Sequence, residues 1–226
     1  MTKELLRVNH VNIKRVHSYK FLGVLISSNL SWFEHIQYIS KKVSKNLGLI
    51  YRLKFKFPKY ILQTLYNSLI LPYFTYCISI WGFSPKTHLY TLNLNQNIFL
   101  RIFYNLKKFE HISIYYNLLN ILKIKQLFTL YSLTFLYKLL KLNFCPILNT
   151  YLSQFQNHRF KSLRKNPDFY LMKPRTNFYI NSTIPVAMRL WNTLPINVKE
   201  SSNLSNFKKS VCQLISSNHF FSIVDT

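Results

Sequence analysis

Trp32, Ile36, Ile39, Val43, Leu47 and Ile50 recur at three- and four-residue intervals, the repeat of one face of an α-helix. Lys41, Lys42 and Lys45 fall largely off that stripe, so the helix packs on one side and offers cations on the other. Ser31 and Glu34 form an S-x-x-E capping box at its start, and Pro58 lies beyond its expected end near Lys56. The chain holds only three glycines in 226 residues. That shortage argues against a barrel or sandwich built on tight turns and for helices joined by longer loops. With 49% hydrophobic and 17% aromatic residues, there is enough apolar material for one large domain or two small ones.

The same logic extends along the chain. Residues 5–26 are strand material: Val8, Val11, Ile13 and Val16 are β-branched, and Phe21 to Ile26 form a second apolar run. A hairpin is expected there, with Gly23 as a bulge or a point of close backbone approach. Pro58 opens the next helix, with Leu62, Leu65, Tyr66 and Leu69 on its apolar face, and Pro72 kinks or ends it before Gly82. Ser84-Pro85 starts a helix carrying Leu89, Leu92, Phe99, Ile102 and Phe103, and two more are expected near 113–122 and 124–142. After about residue 150, Asn, Pro and basic residues dominate 156–181, with a possible strand at Phe169–Met172. A short helix is expected over Pro185–Trp191, and a last one, capped by Ser205, carries Phe207, Val211, Leu214 and Ile215.

Charge narrows the function classes. Thirty Lys and Arg face six acids, a formal net charge of +24. Such a surface repels itself unless a polyanion neutralises it, and nucleic acid is the usual one. AT-rich coding would also raise Lys, Asn, Ile, Phe and Tyr together, but would not by itself strip the acids. Seven cations, Lys41, Lys42, Lys45, Arg52, Lys54, Lys56 and Lys59, follow one another without an intervening acid. Within Lys54-Phe55-Lys56-Phe57-Pro58-Lys59-Tyr60, cations can reach phosphates while rings stack on bases; alternatively the rings enter the core. Arg159, Lys161, Arg164, Lys165, Lys173 and Arg175 form a second basic cluster.

Self-sufficient catalysis is not expected. Glu4, Glu34, Glu110, Asp168, Glu200 and Asp225 are isolated from one another, whereas two-metal chemistry needs converging carboxylates. There is no Gly-rich phosphate loop and no G-x-S-x-G elbow. Cys77, Cys145 and Cys212 are far apart, so neither a disulfide framework nor a zinc knuckle is expected. The seven His show no metal spacing and suit surface or capping positions. Met1 to Lys20 has no apolar core of a signal peptide, which points to an intracellular protein. Residues 60–85 carry no charge, long enough for a membrane span. Gln63, Thr64, Asn67, Ser68, Thr75, Ser79 and Pro72 dilute the run, and a buried helix pair suits it better.

Tyr19-Lys20-Phe21-Leu22-Gly23-Val24, Leu30-Ser31-Trp32 and His35-Ile36 together resemble the end of a reverse transcriptase of non-LTR, LINE-type retrotransposons, especially the jockey-like group. Leu65-Tyr66, Leu71-Pro72, Tyr76, Trp81-Gly82, Leu100-Arg101-Ile102 and Trp191-Asn192-Thr193-Leu194-Pro195 continue the pattern in collinear order over most of the chain. The resemblance implies a mainly α fold with a short N-terminal β-hairpin. It divides the chain into a palm-end hairpin over 1–30, a helical thumb-like bundle over 31–150 and a small, loop-rich α+β region over 151–226. Phe21, Leu22 and Gly23 would be primer-grip positions. The basic helix from Lys41 to Lys59 would lie along a template–primer backbone, and Arg101 joins these candidate contacts. The implied partners are RNA or an RNA–DNA duplex, together with the palm and fingers of the polymerase.

The family's palm carries an aromatic-Ala-Asp-Asp box that binds Mg; this sequence contains no Asp-Asp. The expectation is therefore a fragment that binds nucleic acid, holds no cofactor and is not itself an enzyme. A membrane-associated protein using 60–82 as a span, and a decayed reading frame without function, are the alternatives.

Overall fold

The computed structural model describes residues 7–8, 11–12, 15–156, 168–171 and 176–216. It is mainly helical, with short antiparallel hairpins at the N-terminus. Strand β1 (Arg7–Val8) pairs with β2 (Val11–Asn12), and β3 (Ser18–Phe21) pairs with β4 (Val24–Ser27). The apolar run over Phe21 to Ile26 is therefore not one strand. It folds back on itself, with Phe21 opposite Val24. Leu22 and Gly23 form the two-residue loop, with φ of 44° and 85°. Positive φ at both positions is the turn geometry whose twist matches paired strands, and Gly23 fills it without a Cβ penalty. Gly23 is thus a turn residue rather than a bulge.

Helix α1 (Phe33–Leu53) buries the expected stripe, Ile36, Ile39, Val43, Leu47 and Ile50. It also buries His35, contrary to the surface position expected for histidines. The expected capping box does not form. Ser31 Oγ accepts weakly from Phe33 N at 3.4 Å, while Glu34 turns away to His17 Nδ1 at 3.3 Å. An S-x-x-E pattern permits the box, but the hairpin supplies His17 as a competing partner for the carboxylate.

Three short helices then carry the chain back: α2 (Lys59–Leu69), α3 (Leu71–Thr75) and α4 (Ile78–Trp81). Pro58 is the extended residue before α2, and Pro72 sits at the start of α3, where a missing N–H costs nothing. The uncharged run is thereby cut into segments. Among the described residues no helix is long and apolar enough to cross a membrane.

Helix α5 (Lys86–Tyr104) runs parallel to α1. Three levels of contact fix that direction: the rings of Phe33 and His88 lie 5.1 Å apart, Asn95 Nδ2 donates to Ser40 Oγ at 3.0 Å, and Lys54 Nζ donates to Asn105 Oδ1 at 3.0 Å. Asn46 Nδ2 donates to Leu69 O at 2.6 Å and ties the end of α2 to the middle of α1.

After α6 (Ser113–Leu118), helix α7 (Ile124–Leu142) is apolar on most sides and is correspondingly buried. Helix α8 (Pro146–Ser153) follows, then α9 (Asn177–Asn181) and α10 (Thr183–Thr193), α11 (Ile196–Lys199) and α12 (Leu204–Ser216). Helices α10 and α12 pack on α7, where the Tyr137 and Phe207 rings stack at 4.4 Å and Tyr137 Oη donates to Ser201 O at 2.8 Å. The expected strand at 169–172 is only a single bridge, Gln156 to Phe169, and Met172 lies outside the described residues. Asn203, not Ser205, caps the last helix, its Oδ1 accepting from Asn206 N at 2.8 Å.

Candidate nucleic-acid interface

The geometry of α1 decides which cations act together. At 100° per residue, Tyr38, Lys41, Lys42, Lys45 and Arg52 share one face, about 16 Å long from Lys41 to Arg52. Those four cations are exposed. The only acid on the helix is Glu34, turned towards His17 in the first turn.

The hairpin adds a cation that the sequence reading did not single out. Lys20 Nζ donates to Tyr38 Oη at 3.3 Å and lies 5.1 Å from the Tyr38 ring centre. Lys42 Nζ approaches the same ring at 5.7 Å. The alternation in Tyr19-Lys20-Phe21 was the available signal. The two-residue turn then brings that strand alongside α1.

Phe21 and Leu22 are exposed at the hairpin tip. The tip is anchored from behind: Tyr76 Oη donates to Leu22 O at 2.6 Å. Between the tip, α1 and α3 lies a cavity of about 330 Å³ lined by Gly23, His35, Tyr38, Pro72, Tyr73 and Tyr76. His35 Nδ1 accepts from Leu25 N at 3.3 Å, and burial lowers its pKa to about 4, so the ring is neutral at pH 7.

On the opposite flank of the cationic face, α1 and α5 enclose an open groove of about 540 Å³. Leu47, Gly48, Ile98 and Ile102 line it together with Tyr51, Lys54, Arg101 and Asn105. Lys54 is half-buried, its Nζ held by Asn105 and lying 4.7 Å from the Tyr51 ring centre and 4.6 Å from that of Phe55. Arg101 is committed differently. Its guanidinium donates to Lys107 O and, at 3.1 Å, to Glu110 O, so it holds the turn after α5.

Lys56 and Lys59 are exposed beyond the helix end, and Lys59 Nζ lies 5.4 Å from the Tyr104 ring centre. Phe55 is 81% exposed and Tyr60 69% exposed, so neither ring enters the core. Of the two readings for these aromatics, only the exposed one is compatible with the fold. Lys20, Lys41, Lys42, Lys45 and Arg52 form one surface; Lys54 and Arg101 belong to the groove. The cluster from Arg159 to Arg175 lies outside the described residues.

The described acids are dispersed. Glu110 Oε1 accepts from Lys107 N at 3.0 Å, and Asp168 pairs with Lys199 at 2.7 Å. Among the described residues no three His, Cys, Asp or Glu side chains group as metal ligands, and the three cysteines are free thiols. No family model matches the chain, and neither a curated protein nor a solved structure matches it significantly.

Proposed function

We propose that this protein binds the sugar–phosphate backbone of RNA or an RNA–DNA duplex, with little sequence selectivity, inside the cell. It acts as the thumb and following region of a non-LTR retrotransposon reverse transcriptase, and the Mg-binding palm acids lie outside these residues. The single observation that carries this reading is the row of exposed cations from Lys41 to Arg52 on α1, which begins beyond Glu34 of the first turn and is continued by Lys20 of the hairpin. An extended row of exposed cations without interspersed carboxylates suits a polyanion better than a mixed-charge protein surface. The exposed rings of Phe55 and Tyr60 beside Lys54, Lys56 and Lys59 add surfaces on which unpaired bases stack.

Titration of a fluorescent RNA hairpin and an RNA–DNA duplex against the protein at several salt concentrations tests the reading. Neutralising four to five phosphates predicts a slope of log K against log salt of about −3 to −4.5. Reversing charge at Lys41, Lys42 and Lys45 should weaken all sequences alike and flatten that slope. Absence of binding at low salt, or binding indifferent to salt, would overturn it.

A further inference from the structure

His35 sits in the first turn of α1 and is only 2% exposed, yet one side of its ring is unused. Nδ1 accepts from Leu25 N, so in the neutral ring the proton is carried by Nε2. That buried N–H has no hydrogen-bond partner among the described residues. Trp81, 5.8 Å away between ring centres, offers it no lone pair, because the indole N–H is itself a donor, to Tyr76 O. Buried donors are almost always met, and one that is not calls for an explanation.

The cavity of about 330 Å³ between the hairpin tip, α1 and α3 lies against this ring. It has room for far more than one water and falls in the size range of small-ligand sites. Tyr38 and Ile39 of α1 form one wall, Pro72 and Tyr73 of α3 another, and Tyr76 and the backbone of Gly23 close the end. None of these side chains is charged at pH 7. Tyr76 Oη spends its proton on Leu22 O. Aromatic walls, a single unmet donor and no charge suit a planar, neutral ring that carries an acceptor. Tyr38 is also the residue around which Lys20 and Lys42 gather, at 5.1 and 5.7 Å from its ring centre. The cavity and the cationic face therefore share a wall. A ring that enters the cavity can stay joined to a phosphate on the Lys20 and Lys42 side.

We propose that this cavity binds a nucleobase, lying against Tyr38, Tyr73 and Tyr76, with a carbonyl or ring-nitrogen acceptor meeting the His35 Nε2–H. The base brings a π-face for the tyrosines and the lone pair that His35 lacks. Two sources carry this chemistry, an unpaired base of a bound strand and a free nucleoside. The first rests on the nucleic-acid reading of α1; the second does not.

Two measurements on the full chain test it. Fluorescence anisotropy compares an RNA–DNA duplex carrying one unpaired uridine with the same duplex carrying an abasic residue there, so that the phosphates are equal. The uridine duplex should bind about tenfold more tightly. Tyr73→Ala, which opens a wall without touching the cations of α1, should bring that ratio towards one if its melting curve is unchanged. Lys41→Gln/Lys45→Gln should weaken both duplexes and keep the ratio. Nuclear magnetic resonance of isotope-labelled histidine reads the donor directly, with the His35 signals identified by their loss in His35→Gln. Ligand binding should move the Nε2–H proton downfield, as a new hydrogen bond does, while Nδ1 stays unprotonated. A shift with free uridine assigns the site to free nucleosides; a shift with the uridine duplex alone assigns it to strands. Should Tyr73→Ala not fold, the His35 signal of the unaltered protein decides. Equal affinity for the two duplexes with an unmoved His35 signal would overturn the pocket and leave the reading of α1 standing. Uridine binding at His35 without any duplex binding would do the reverse.

Discussion

Tyr76 Oη donates to Leu22 O at 2.6 Å, tying the tip of the N-terminal hairpin to the end of α3 across 54 residues of sequence. The bond holds a turn that its own sequence disfavours. Leu22 adopts φ of 44°, a left-handed conformation that a leucine rarely takes, and its side chain is 75% exposed.

Leu22→Asn should therefore raise stability by about 1 kcal/mol, because Asn tolerates the left-handed region and Asn-Gly suits this turn. Denaturant midpoints of the two proteins check it. If the hairpin tip contacts nucleic acid, the same change lowers affinity while raising stability, a combination that a purely structural loop does not give.

His35 should make the fold acid-sensitive. Its pKa is lowered from 6.5 to about 4 by burial. Below pH 6.5 the unfolded chain takes up a proton that the folded chain refuses. Stability from this group is thus complete above pH 6.5, falls as pH drops towards 4 and levels off below it, by about 3 kcal/mol in all. His35→Gln retains an acceptor for Leu25 N and should flatten the dependence of melting temperature over that window. An unchanged slope would exclude His35 as its source.

The remaining glycines predict opposite responses. A Cβ at Gly82 would stand 2.6 Å from Ile78 O and 2.7 Å from Phe128 Cδ2, so Gly82→Ala should destabilise by about 1–3 kcal/mol. At Gly48, inside α1, a Cβ meets nothing within 4 Å, so Gly48→Ala should stabilise by about 0.5–1 kcal/mol. Thermal melts of both variants test the pair. The added methyl at Gly48 also projects into the α1–α5 groove, so reduced RNA affinity in a stabilised protein would implicate the groove in binding.

Phe55→Ala should leave the melting temperature unchanged, because the ring is 81% exposed. Its effect should appear on single-stranded RNA, weakened by about 1–3 kcal/mol if a base stacks there, with little change for a duplex. Fluorescence anisotropy with the two probes distinguishes stacking from a general loss of surface.

Much of the fold was legible because helical periodicity is a local signal. The stripe from Ile36 to Ile50 is buried as its spacing predicts, and Pro58, Pro72 and Pro146 stand at helix starts. Capping was less legible: Ser31 and Ser205 have the right chemistry, but His17 drew Glu34 away and Asn203 lay nearer the free amides of α12. The hairpin was placed correctly but its turn was not, since an apolar Leu-Gly pair lacks the polar residues that usually announce such a loop.

The sequence by itself determined that the chain is mainly helical, that α1 has one apolar and one cationic face, and that few acids oppose its basic residues. Those properties depend on residue type and on spacing within a turn or two. Only the tertiary structure decided that α1 and α5 lie parallel around a groove and that Lys20 joins the α1 face. It also buried His35 and converged it with Tyr38, Tyr73 and Tyr76 on one pocket. Periodicity tells a helix which face to bury, but not against what. That choice depends on complementary packing between segments far apart in the chain, and the groove and the pocket are its products.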